Sequence, residues 1–219
     1  MMVSPMLVTV EKLHAALTIL EPFIPDDGQE PEGRAIYSDV TWERYLALDK
    51  ALGDNRSVPR LYYLDEELEI VSTSDEHERL KRWIVGFMDL YLDDLDIEVT
   101  PRGQATMVLA LKAAAAEPDE AWCLGHQEQL PDLVLEIALS SGGIKKLSLH
   151  QRFGIPEVWI WRKGKLEVHA LLADGSGYEQ VPSGSRLLPG LDVGLLERCA
   201  KILDWREARK AFRAGLAQR

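Results

Sequence analysis

Leu133-Val134-Leu135-Glu136-Ile137-Ala138-Leu139 is apolar except at its centre. Pro131-Asp132 precedes it and Ser140-Ser141-Gly142-Gly143 follows, so a short run is bounded on both sides by turn residues. Length, branching and boundaries together predict a buried strand. Glu136 then lies inside it, and an ionised carboxylate there costs several kcal/mol, as a rough scale, unless something compensates. A second apolar run stands just upstream, Glu117-Pro118-Asp119-Glu120-Ala121-Trp122-Cys123-Leu124, with Asp119 at its edge. Strand side chains alternate, so Asp132, Val134, Glu136 and Ala138 share one face, and Asp119, Ala121 and Cys123 share a face of the preceding strand. If these strands pair, the two carboxylates come together, and two such groups share a proton or bind a cation. Mg²⁺ takes one or two carboxylates and keeps several waters, which is the chemistry of phosphodiester hydrolysis.

The strands between helices predict an α/β fold, a mixed sheet flanked by helices. Thr41-Trp42-Glu43-Arg44-Tyr45-Leu46 opens a short helix, and Arg60–Leu64 with Leu68–Val71 forms a hairpin around Asp65-Glu66-Glu67. The clearest helix follows Thr73-Ser74-Asp75-Glu76, a capping-box spacing. In it Leu80, Trp83, Ile84, Phe87, Met88 and Tyr91 form one apolar stripe at the helical period. At about 100° per residue, Glu76 and His77 fall at the edges of that stripe and Glu78 points nearly the opposite way. Ile97–Thr100 and Met107–Leu111 are expected strands. Residues 144–153 are an expected helix closed by Gly154, with Pro156 just beyond. Val158–Trp161 and Leu166–Ala170 form a second hairpin, Asp174-Gly175-Ser176-Gly177 a turn, and two helices close the chain. The organisation expected is an extension over residues 1–34, one α/β domain over 35–200, and a basic helix over 201–219.

Bulk properties narrow the function classes. The 219 residues are 46% hydrophobic and carry a formal charge of -11. That balance opposes passive adhesion to a polyanion, because nucleic-acid affinity rests on phosphate neutralisation by Lys and Arg. A local basic groove or a metal-completed acidic site is still compatible with it. Cys123 and Cys199 form no CxxC motif and read as small hydrophobes in a reducing compartment. Cys123 with His126 has metal-like spacing but falls short of four ligands. No signal peptide and no run of transmembrane length is seen, so a cytoplasmic protein is expected.

Lys145 and Lys146 open the helix after the Glu136 strand, where a cation can face an attacking water and the helix end favours anions. Pro118-Asp119 with Leu133-Val134-Leu135-Glu136-Ile137 resembles the PD-(D/E)XK nuclease superfamily. Those residues, with Ser141-Gly142-Gly143-Ile144-Lys145-Lys146-Leu147 and Phe153-Gly154-Ile155-Pro156-Glu157-Val158-Trp159-Ile160-Trp161, resemble the Uma-two family of restriction-endonuclease-like proteins. Ser74–Arg79 is similar to that family's helix opening and Leu188–Asp192 to its closing segment. The likeness runs from about Thr41 to Arg213. It implies a restriction-endonuclease-like core, Mg²⁺ or Mn²⁺ on Asp119 and Glu136, and a DNA substrate. It departs at Ala138, where the superfamily has lysine two residues after the glutamate; in this family a lysine from the next helix matches Lys146.

The candidate site is therefore Asp119 and Glu136 as metal ligands and Lys146 for the water, with His77 and Glu76 nearby. Each residue also has a plainer reading. Asp119 after proline suits a turn, and Glu136 suits a buried ion pair with an arginine. His77 suits a packed, hydrogen-bonded histidine, Glu76 a capping box, and the two lysines a solvated surface. Arg206, Arg209, Lys210 and Arg213 form either a solvated helix face or a phosphate-contacting patch. The function expected is metal-dependent DNA cleavage by a homodimer. The alternatives are an inactive nuclease-like binding module and a nuclease acting on RNA.

Overall fold

The computed structural model describes residues 33–53, 59–125, 130–139, 145–182 and 184–218. The expected extension over 1–34 lies almost wholly outside the described residues, as do His126 and the expected break at 140–143. In chain order the elements are β1 (Gly33–Tyr37), α1 (Trp42–Leu52), β2 (Arg60–Leu64), β3 (Glu67–Ser72), α2 (Asp75–Asp94), β4 (Val99–Pro101), β5 (Met107–Leu109), β6 (Ala114–Ala116), β7 (Glu120–Leu124), β8 (Leu133–Ala138), α3 (Lys146–Phe153), β9 (Glu157–Arg162), β10 (Lys165–Leu171), β11 (Tyr178–Gln180), α4 (Val193–Ala200) and α5 (Trp205–Leu216). The α/β class and the mixed sheet agree with the sequence; the strands divide between two sheets in two compact units. Among the described residues no helix is long and apolar enough to cross a membrane.

The first unit comprises Met1–Ser74, Thr106–Glu117 and Ser140–Leu149. Its antiparallel sheet has the order β1-β3-β2-β6-β5. The β2–β3 hairpin turns on Asp65 and Glu66, both at positive φ, as a tight two-residue hairpin requires. α1 is capped by the Thr41 side chain and buries Tyr45, Leu48 and Leu52. The expected strand Met107–Leu111 is shorter than its sequence implied. It ends at Leu109, Ala110–Lys112 forms a 3₁₀ turn, and Ala113 at φ 42 reverses the chain into β6. Nothing but Lys112 marks that reversal, so a hairpin reads as one apolar run.

The second unit comprises Asp75–Ala105, Pro118–Leu139 and His150–Arg219. Its mixed sheet has the order β11-β10-β9-β8-β7-β4, with β8 parallel to β9 and antiparallel to β7. The α2 stripe meets one sheet face: Leu80, Ile84, Phe87, Met88 and Tyr91 cluster with Leu133, Leu135, Ile137, Trp159 and Trp161. Strand alternation turns Val134 and Glu136 to the other face, and β9 is buried over Glu157–Trp161. α2 and α5 approach closely at Gly86, where a Cβ would fall 2.5 Å from Trp205 Cη2. Residues 201–218 belong to this unit.

Glu157 organises the end of β9. Fully buried, it accepts from Trp159 Nε1 at 2.7 Å, Ser185 Oγ at 2.6 Å and the Arg186 amide at 2.8 Å. Glu157→Ala strands these donors in the interior, so a loss of about 3 kcal/mol is expected in urea unfolding. A loss below about 0.5 kcal/mol, within the range of surface substitutions, would contradict that role.

Candidate active site

Asp119 stands one residue before β7. The β7–β8 register pairs Glu120 with Leu135 and Ala121 with Val134. Asp119 lies beyond that register: its amide bonds the Leu135 carbonyl at 3.1 Å and its carboxylate reaches the Ile137 amide, so it is held against β8 on either side of Glu136. Both carboxylates are buried, at 2% and 3% exposure.

Each carboxylate is held by a histidine. Asp119 Oδ2 accepts from the Ile137 amide at 2.5 Å, and Oδ1 lies 3.0 Å from His77 Nε2. Glu136 Oε1 lies 2.7 Å from Nε2 of His150, which is fully buried. Against an ionised carboxylate the ring nitrogen must carry the proton, which makes Nε2 of His150 the donor to Glu136. His77 comes from the first turn of α2, with Nδ1 3.5 Å from Glu78 Oε1; Glu78 in turn holds Lys81 at 2.7 Å. His150 comes from α3. That helix ends at Gly154, φ 75, with the Gly154 amide on Gln151 O and the Ile155 amide on His150 O. This Schellman closure fixes the last turn and so the His150 backbone.

Of the residues expected at the site, Asp119, Glu136 and His77 come together in the second unit. Glu76 is exposed at the start of α2, one position before the buried His77. Lys146 belongs to the first unit, where its ammonium lies 3.5 Å from Glu69 Oε2 and over the Tyr62 ring. His150 was not expected. Its signal was spacing, four residues after Lys146 in the same helix, but nothing in the sequence marks its burial. Glu120, the neighbour of Asp119, lines a pocket of ≈ 250 Å³ with Lys81, Arg82, Val85, Gly103 and Gln104. Burial pushes its carboxyl pKa up, and the Ala121 amide and the Lys81 charge oppose that rise.

No group of three or more His, Cys, Asp or Glu ligands is found among the described residues. The donor set is instead two buried carboxylates, each already oriented by an N–H. That set fits Mg²⁺ or Mn²⁺, which complete their shells with water, and does not fit a zinc site built wholly of side chains.

The chain belongs to the Uma2 family, described as "Putative restriction endonuclease", whose model matches residues 42–198. A solved structure described as "a putative nuclease belonging to DUF820 from Anabaena variabilis ATCC 29413" is similar at 12% identity and a TM-score of 0.49. The match covers 79% of this chain and 99% of that one. A comparison with curated proteins finds no match.

Proposed function

We propose that this protein is a Mg²⁺- or Mn²⁺-dependent endonuclease that hydrolyses DNA phosphodiester bonds, with the ion held by Asp119 and Glu136. One observation carries the reading: two buried carboxylates, Asp119 and Glu136, are held at the same stretch of β8, Asp119 by the Leu135 carbonyl and the Ile137 amide. Two like charges so placed are unfavourable without a cation, and a divalent ion resolves them. When bound, the ion supplies a Lewis acid at the phosphoryl oxygen and a water of lowered pKa. The chain's own residues do the rest. The Ile137 amide and His77 orient Asp119; His150 orients Glu136. Glu76, exposed on the first turn of α2, adds negative charge to the solvent side of that helix end. Lys146 enters the proposal through the sequence resemblance, as the cation that positions or activates the water. A cytoplasmic location and a homodimer, whose two-fold symmetry would match a duplex cut on both strands, belong to the same proposal.

The test is plasmid nicking with Mg²⁺, with Mn²⁺ and in EDTA, for wild type, Glu136→Ala and Lys146→Ala. Nicking is expected from the wild type with metal only, and a drop of at least about 10²-fold in both variants, on the scale of charge stabilisation at a transition state. Equal cutting by wild type and Glu136→Ala would sink the assignment of Glu136. Ala138, standing where the superfamily carries lysine, favours an inactive binding module as the second reading. That reading expects no cutting of DNA or RNA by any of the proteins.

A further inference from the structure

α5 lies beyond the residues matched by the family model. Arg206, Arg209, Lys210 and Arg213 stand at i, i+3, i+4 and i+7, which at about 100° per residue places them in a single stripe. All four are exposed. The apolar side of the helix is committed to the core: Ala208, Phe212 and Leu216 are buried, and Phe212 stacks on Phe87 at 4.7 Å between centroids. The stripe is therefore held at a fixed orientation on the second unit.

Among the described residues, none of the four cations makes an ion pair. The nearest approach is Arg209 to the ring of Trp205, 5.9 Å from the centroid. Other exposed arginines do pair: Arg162 with Glu167, Arg186 with Glu179 and Arg198 with Asp192. This contrast arises in a chain with 36 acidic and 25 basic residues, where carboxylates are the commoner neighbours. Like charges at i, i+4 destabilise a helix, and the single acid of α5, Glu207, makes no ion pair with the stripe among the described residues. Charge complementarity therefore points outward, to a polyanion. Three of the four are arginines, whose planar fork matches phosphate oxygens. Arg206 to Arg213 spans about 10 Å along the axis, or roughly three steps of a duplex at 3.4 Å per strand phosphate. An anionic membrane fits less well, because an interfacial helix also needs an apolar face to insert and here that face is buried.

We infer that the α5 stripe is a docking surface for the phosphate backbone of double-stranded DNA. This rests on the endonuclease reading and deepens it: α5 supplies sequence-independent affinity to a chain whose net charge opposes it. Each neutralised phosphate contributes a slope of about −0.9 to log affinity against log salt.

The experiment uses the full chain and a fluorescein-labelled 30-base-pair duplex of mixed sequence, read by anisotropy in EDTA at several KCl concentrations. The variant replaces Arg206, Arg209, Lys210 and Arg213 by Gln. A control of equal charge replaces the exposed Arg162, Lys163, Lys165 and Arg186 by Gln. For the stripe variant, at least 10-fold weaker binding and a slope shallower by about 2 to 4 are expected, as two to four lost phosphate contacts require. The control is expected to keep most of the wild-type affinity and slope. Equal losses in both variants, or wild-type binding by the stripe variant, overturn the inference. So does a stripe variant that loses only binding to phosphatidylglycerol vesicles. A wild type that binds duplex through the stripe but nicks no plasmid removes the endonuclease reading and leaves this one standing. A wild type that nicks plasmid while the stripe variant binds unchanged does the reverse.

Discussion

Glu136→Gln is expected to abolish metal-dependent cleavage and, in EDTA, to raise the melting temperature. The two effects have one cause. Glu136 is 3% exposed, and Asp119, held by the backbone of the residues on either side of Glu136, is 2% exposed. In the metal-free protein their charges repel and both pay desolvation, so removing one charge relieves the fold. Glutamine keeps an oxygen for His150 Nε2 and removes the charge. A gain of about 1–2 kcal/mol follows, read at about 2–4 °C per kcal/mol for a protein of this size. With Mg²⁺ the order reverses: saturation stabilises the wild type by about 2.7 kcal/mol at a hundredfold excess over Kd and leaves the variant unmoved. Cleavage falls by at least about 10²–10³-fold, the scale of a few kcal/mol of lost transition-state stabilisation. A purely structural Glu136, holding His150 and nothing else, predicts the opposite sign in EDTA. A variant that melts below wild type in EDTA and still nicks plasmid would falsify the metal-ligand assignment.

The parts of this molecule that were legible in the sequence are those governed by local rules. Alternation put Val134 and Glu136 on one face of β8, but Asp119 lies outside the β7–β8 register, with its amide on the Leu135 carbonyl, and alternation does not foretell that. The period of α2 put His77 inward at the edge of the stripe, where it is buried. Hairpins at Asp65-Glu66 and Lys163-Gly164 follow from turn chemistry, with positive φ at all four positions. The features that escaped depend on pairing between distant segments. Ala114–Ala116 looks like a continuation of the run before it, because a reversal through alanine at φ 42 leaves no compositional mark. The division of the strands into two sheets is invisible for the same reason: each strand's sequence states that it is buried, not which neighbour covers it. Glu157 reads as part of a motif, and its role as acceptor for three backbone and side-chain donors emerges only when residues 185–187 fold back onto β9.

His150 is where that limit matters for chemistry, and His150→Phe is expected to weaken Mg²⁺ binding about 10–100-fold while leaving the fold intact. Phenylalanine fills nearly the same volume in a fully buried position, so packing survives. It deletes the N–H that meets Glu136 Oε1 at 2.7 Å. A metal-ligating carboxylate depends on such a partner for its orientation, and loss of the partner costs affinity on that scale. Glutamine at the same position restores a terminal N–H donor at similar reach, so His150→Gln should recover much of the lost affinity. The comparison is made by titration calorimetry with Mg²⁺, alongside melting in EDTA for all three proteins. A positioning role predicts that affinity follows the donor, His above Gln above Phe; because Phe also strands a buried carboxylate and melts lower in EDTA, each protein is titrated well below its own melting temperature. If Gln binds no better than Phe, the donor is not what matters. If all three bind alike, Glu136 is oriented by the sheet alone, and the pairing of each carboxylate with an imidazole is a solution to burial rather than to catalysis.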